Sequence, residues 1–227
     1  MKNKIKNIII FFAGAVIIAL LGLAPNAPKT FSLYWGNLGA RMVEAGVIDM
    51  ERFENLYQQR GGLSEADRKL LADSDNGNLV ITSENSGMML NMLWALGLGN
   101  KNPILENGPM MTYSGAGLPA EALAKAGNFA STGGWTLGKG NAMDHYSMHQ
   151  FVTLTREQQD LVEKVAKNIY RPCCKNSTYF PDCNHGMAML GLMEIMASQG
   201  ASEPEMYKMS GEVNTLWFPK VETGCGV

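Results

Sequence analysis

Three of the four cysteines and one of the three histidines fall within one short segment, Arg171 to Gly186. It reads Arg171-Pro172-Cys173-Cys174-Lys175-Asn176-Ser177-Thr178-Tyr179-Phe180-Pro181-Asp182-Cys183-Asn184-His185-Gly186. Thiolates are soft ligands and good nucleophiles. Such a cluster is therefore a metal site, a reactive-thiol site or a disulfide-stapled loop. The spacing sets Cys173 and Cys174 across a short loop from Cys183, with His185 two residues further on. Met189 and Met193 follow His185 at four and eight residues, on roughly the same helical face. A Cys173, Cys174, Cys183, His185 and Met189 set of this kind suits a soft transition metal, copper(I) above all. Zinc would take the thiolates and the imidazole but gains little from a thioether.

The alternatives follow from the same residues. An exported chain with an even number of cysteines usually oxidises them in pairs. One of the adjacent pair bonded to Cys183 would close a loop of about ten residues, worth roughly 2–3 kcal/mol in the chain-entropy picture. The other could reach Cys225 and tether the tail. A catalytic thiol is the third reading. Asp182 is placed to cap a helix, which would put Cys183 at its first position, where the helix dipole favours thiolate.

His145 and His149 are a second candidate pair. If the segment is helical, both imidazoles lie one turn apart on one face and can add ligands or a general base to the cysteine site. The segment lacks the His-Glu-x-x-His of zinc peptidases. No Cys-x-x-Cys-His exists for c-type haem, and no Cys-x-x-Cys for thioredoxin-like chemistry. Ser131-Thr132-Gly133-Gly134 has no lysine placed as in a P-loop, so no nucleotide is expected. Net charge is −2 without a basic block, which argues against nucleic acid.

These residues need a frame. Hydrophobic residues make up 46% of the chain and charged ones 18%, enough apolar material for a packed core. Most of the sixteen methionines stand at helical spacing among Leu and Ala and read chiefly as core filler. Capping signatures recur at Ser64, Thr155 and Ser202, the last two with Gln158 and Glu205 at the third helical position. Ser83 is placed to cap a helix running to about Leu96. Phe31 to Val47 and Ile48 to Tyr57 carry mixed helical patterns, and Asp182 opens a helix to about Ser198. Leu79 to Thr82 is the best short strand. Residues 97–140 are rich in Gly, Pro, Asn and Ser, with one helix expected from Pro119 to Ala126; such a region is either functional or a loop packed on the core. The expected class is all-α, a single helical domain over residues 30–227 with a long Gly-rich irregular region.

Residues 1–29 set the expected compartment. Lys2, Lys4 and Lys6 precede the uncharged run Ile8 to Ala24, about 25 Å long as a helix at about 1.5 Å per residue, near the short end of a membrane span. The lysines keep their side in the cytoplasm and send the rest out. Pro25 and Pro28 stand where a mature chain would begin, which favours an uncleaved signal-anchor over a removed signal peptide. The sequence reading is a membrane-anchored, extracytoplasmic protein, in a bacterial periplasm or at a cell surface, that binds or handles a soft transition metal. The alternatives are a non-catalytic envelope module with disulfide-stapled cysteines and an envelope protein partner, and a Cys-dependent enzyme.

Overall fold

The structure is a computed structural model that describes residues 32–113, 119–172 and 174–219. The membrane-anchor reading of residues 1–29 falls outside these, as do Cys173 and Cys225. No helix among the described residues is long and apolar enough to cross a membrane.

The chain is mostly helical, as its periodicity predicts. Strand β1 (Leu33–Gly36) leads into α1 (Leu38–Glu44), α2 (Met50–Gln58) and α3 (Glu65–Ala72). Strand β2 (Asn76–Leu79) pairs antiparallel with β1 in the register Leu33↔Leu79. Then follow α4 (Ser86–Gly99), α5 (Pro103–Asn107), α6 (Pro109–Thr112), α7 (Pro119–Ala126), α8 (Arg156–Asn168), α9 (Asn184–Ser198) and α10 (Glu203–Trp217).

Three starts are set by local hydrogen bonds. Ser64, Thr155 and Ser202 each take part in a reciprocal capping box, with Asp67, Gln158 and Glu205 respectively. Such boxes satisfy two orphan amides at once, so they are legible in sequence. Three expectations are corrected. Phe31 to Val47 is not wholly helical, because Leu33–Gly36 pairs with a strand forty residues on. That strand is Asn76–Leu79 rather than Leu79 to Thr82. Helix α4 is capped by Asn85, not Ser83, and Asn85 spends its carboxamide on Thr82 N–H and Val80 C=O instead.

Helices α4 and α9 form the centre. Both are apolar around most of their circumference and buried along nearly their whole length. They cross at Gly97 and Gly191. A Cβ on Gly191 would lie 2.5 Å from Leu93 O, and one on Gly97 would fall far inside contact with Met187 O. The glycines let the two backbones touch. Met88, Met89, Met92, Met187, Met189, Met193 and Met196 fill the surrounding space and are buried; flexible thioethers suit such irregular gaps. The irregular region is fastened to this core. Trp135 is buried, donates to Val47 O at 2.9 Å and meets Trp94 edge-on at 4.9 Å.

An acidic side chain lies inside the core. Glu194 is fully buried on α9, and its Oε1 accepts from Asn102 Nδ2 at 2.5 Å. Asn102 also takes Gln159 Nε2 and the Ile104 amide on its Oδ1, and so links α5, α8 and α9. Burial pushes the Glu194 carboxyl up to about 8; the Asn102 and Asn100 carboxamides pull the other way. The folded state therefore keeps the proton up to about pH 8, while an unfolded glutamate releases it near about 4.3. This contribution is full below the unfolded value and is lost as pH rises toward 8. Glu194→Gln does not titrate. Chemical denaturation from pH 5 to 8 should show wild type losing stability relative to Glu194→Gln, by up to about 1.4 kcal/mol per pH unit. Parallel profiles would mean that Glu194 ionises without cost.

Candidate functional site

The cysteine loop is built around Arg171. This arginine ends the segment after α8 and is 1% exposed. Its guanidinium has five N–H donors in a fixed fork, and the loop wraps acceptors around them. Nε donates to Asn176 O at 3.2 Å, and Nη2 to Phe180 O at 2.8 Å and Ser177 O at 3.4 Å. Nη2 also pairs with Asp182 Oδ1 at 2.8 Å. Nη1 donates to Cys183 Sγ at 3.2 Å. Gly186 is required beside it, since a Cβ there would overlap Nη1. Asn176 Nδ2 donates to Asp182 Oδ2 at 2.8 Å, and Ser131 N–H donates to Asp182 O at 3.1 Å. The second of these bonds ties the Gly-rich region to the site.

This arrangement brings Cys174 and Cys183 together. Their sulfurs and a carboxylate oxygen of Asp182 all lie within 4.8 Å of one another. Cys174 is exposed and Cys183 partly buried, both as free thiols. Helix α9 starts one residue later than expected: Cys183, not Asp182, is the N-cap, so His185 is the second helical residue. Asp182 is held away from the cap by Arg171 and Asn176. Burial pushes the Cys183 thiol up, while the Arg171 guanidinium and the Gly186 amide pull it down. A metal must therefore displace the Cys183 proton on binding.

The other sequence candidates are placed elsewhere. His185 faces aromatic rings, 4.4 Å from Phe218 and 5.8 Å from Trp217 between centroids. Burial, then Arg171, push it down to about 4. Met189 and Met193 lie in the core. His145 and His149 are not on an α-helix, which corrects that expectation. His145 caps a 3₁₀ turn at Ala142–Asp144, and His149 bridges to Asn100. Their rings still meet, with Nδ1 of His145 3.1 Å from Nε2 of His149. His145 Nε2 stands 2.8 Å from Lys139 O. A carbonyl only accepts, so His145 carries its proton on Nε2 and takes the His149 Nε2–H on Nδ1. Both His145 nitrogens are thus engaged within the pair. Burial and then His145 push His149 below its ordinary value, and its ring stacks on Phe151 at 5.1 Å.

Arg171 escaped the sequence reading. Four of its five partners are backbone carbonyls or a thiol, which leave no charge pattern in the sequence. Its one signal is Asp182, eleven residues on, read there only as a cap.

In comparisons with known proteins, no family model matches the chain, and no curated protein or solved structure matches it. The chemistry of the loop therefore carries the functional reading.

Proposed function

We infer that the chain is a membrane-anchored, extracytoplasmic helical protein that holds a transition metal between Cys174, Cys183 and Asp182. The observation that carries this reading is the convergence of two sulfurs and a carboxylate oxygen within 4.8 Å. Bonds of about 2.0–2.3 Å bring ligand atoms around one ion to roughly 4 Å from each other, so small side-chain shifts suffice. Charge narrows the metal. Two thiolates and Asp182 against the Arg171 guanidinium leave two negative charges, which a divalent ion such as zinc neutralises. Copper(I) is the other case; it takes the two thiolates and leaves one negative charge. Arg171 donates to Cys183 from outside the ligand set, as outer-shell partners do at metal sites. The anchor reading rests on Lys2, Lys4, Lys6 and the apolar run after them.

The same proximity supports a second reading, in which Cys174 and Cys183 form a staple in an envelope module. The two part on oxidation state, because a ligand needs reduced sulfur.

The test uses the full chain, reduced and held in detergent, titrated with zinc and with copper(I) against a competing chelator. One equivalent should bind. Cys183→Ser should weaken binding beyond about 100-fold, the upper end of what an outer-shell change does, and His149→Ala should leave it unchanged. Absence of binding by the reduced chain would refute the metal reading. A reporter fused after Lys29 should be active only in an exported compartment; cytoplasmic activity would refute the topology.

A further inference from the structure

We propose that the Cys174–Cys183 pair is a thiol switch that releases the bound metal when a hydroperoxide oxidises it. The switch rests on the metal reading of the same site. Its basis is the unequal placement of two sulfurs that face each other within 4.8 Å. Cys174 is exposed in a turn, open to a solvent-borne oxidant. Cys183 is partly buried, and Arg171 Nη1 sits on its sulfur at 3.2 Å. An oxidant reaches Cys174 first, and Cys183 stands behind it as the resolving thiol, the arrangement of redox-sensing cysteine pairs.

The chemistry runs in two steps. The Cys174 sulfur attacks a hydroperoxide oxygen. An S–O bond forms and the O–O bond breaks; the alkoxide leaves and takes up a proton from water, because at the loaded site both sulfurs are already thiolates. The product is a sulfenic acid. The Cys183 sulfur then attacks the Cys174 sulfur. The S–S bond forms, the S–O bond breaks, and hydroxide leaves, taking a proton from solvent to become water. Two thiolates, one hydroperoxide and two protons from solvent become one disulfide, one alcohol and one water, with two electrons passed from sulfur to oxygen. A disulfide carries no thiolate charge, so Asp182 alone faces the metal, with Arg171 already paired to it at 2.8 Å. One carboxylate beside a guanidinium does not hold a soft ion. Metal occupancy works in the reverse sense, since it engages both sulfurs and slows their oxidation.

The experiment treats the zinc-loaded full chain in detergent with one equivalent of tert-butyl hydroperoxide. Released zinc is read with a chromogenic chelator, and cysteine products are mapped by peptide mass spectrometry. The switch predicts about one zinc released per hydroperoxide consumed and a Cys174–Cys183 cross-linked peptide. In Cys183→Ser, kept free of metal, Cys174 should accumulate as sulfenic acid, trapped by dimedone. A cross-link that leaves zinc bound would overturn the switch. So would oxidation that maps to Cys173 or Cys225 instead, or dimedone labelling of Cys183 in the metal-free Cys174→Ser chain as fast as that of Cys174 in the Cys183→Ser chain. If the reduced chain binds no zinc at all, the metal reading fails and the switch falls with it. If zinc binds but oxidation maps elsewhere, only the switch falls.

Discussion

Arg171→Met should cost the fold about 3–5 kcal/mol, the usual penalty for removing one partner of a buried ion pair. The substitution keeps an unbranched stem as far as the position of Nε and removes every donor. Asp182 Oδ1 then loses its cation, and the carbonyls of Asn176, Ser177 and Phe180 lose their N–H partners. Asp182 Oδ1 is itself buried and cannot turn to water without opening the loop. At about 2–4 °C per kcal/mol for a domain of this size, the midpoint of thermal unfolding should fall by about 6–20 °C. Arg171→Lys keeps the charge but not the planar fork, and should recover only part of the loss. Circular dichroism against temperature reads both variants. A midpoint shift of a degree or less in Arg171→Met would show that the loop does not depend on the guanidinium.

Gly97→Ala and Gly211→Ala should move stability in opposite directions, although both place alanine inside a helix. Alanine is favoured over glycine by about 1 kcal/mol in a helix interior. At Gly211 on α10 nothing lies within 4 Å of the new Cβ, so the protein should gain up to about that amount. At Gly97 the new Cβ overlaps Met187 O and lies 3.0 Å from Gly191 N, both backbone atoms of α9 that no rotamer change can move. The helices must part, and the loss of packing along buried Leu93, Leu96, Leu190 and Met193 outweighs the propensity gain. A net loss of about 3 kcal/mol is expected, at the upper end for overpacking. Urea denaturation of the two variants gives the comparison directly. Equal stabilisation by both would mean that α4 and α9 do not meet at their glycines.

What the sequence makes legible depends on how far the controlling contact reaches. Ser64, Thr155 and Ser202 announce their helices because a capping box closes within three residues. The apolar length of α4 and α9 is visible for the same reason. Strand β1 is not, since Leu33–Gly36 owes its conformation to Asn76–Leu79 and to the Gln199 side chain, which exchanges two hydrogen bonds with the Tyr34 backbone. At the candidate site, Cys174 and Cys183 are close because their loop is short, and that much can be read from spacing. Which residue caps α9 cannot, because Asp182 is drawn off by Arg171, whose other four partners are carbonyls and a thiol that carry no charge pattern in the sequence. His145 and His149 make a related case: four-residue spacing suggests a helical face, yet a 3₁₀ turn and a bridge to Asn100 bring the rings together instead. Glu194 left no mark either, because a lone acid in an apolar helix reveals its partners only when Asn102 has folded over it.

X-ray absorption at the metal edge, on the full chain loaded with one equivalent of zinc, tests the central claim most directly. Two sulfur neighbours at about 2.3 Å are expected, with oxygen or nitrogen completing the sphere at about 2.0–2.2 Å. Cys174→Ser and Cys183→Ser should each leave a single sulfur. A sphere of nitrogen and oxygen alone, or a sulfur count that stays at two in both variants, would contradict a metal held between Cys174, Cys183 and Asp182.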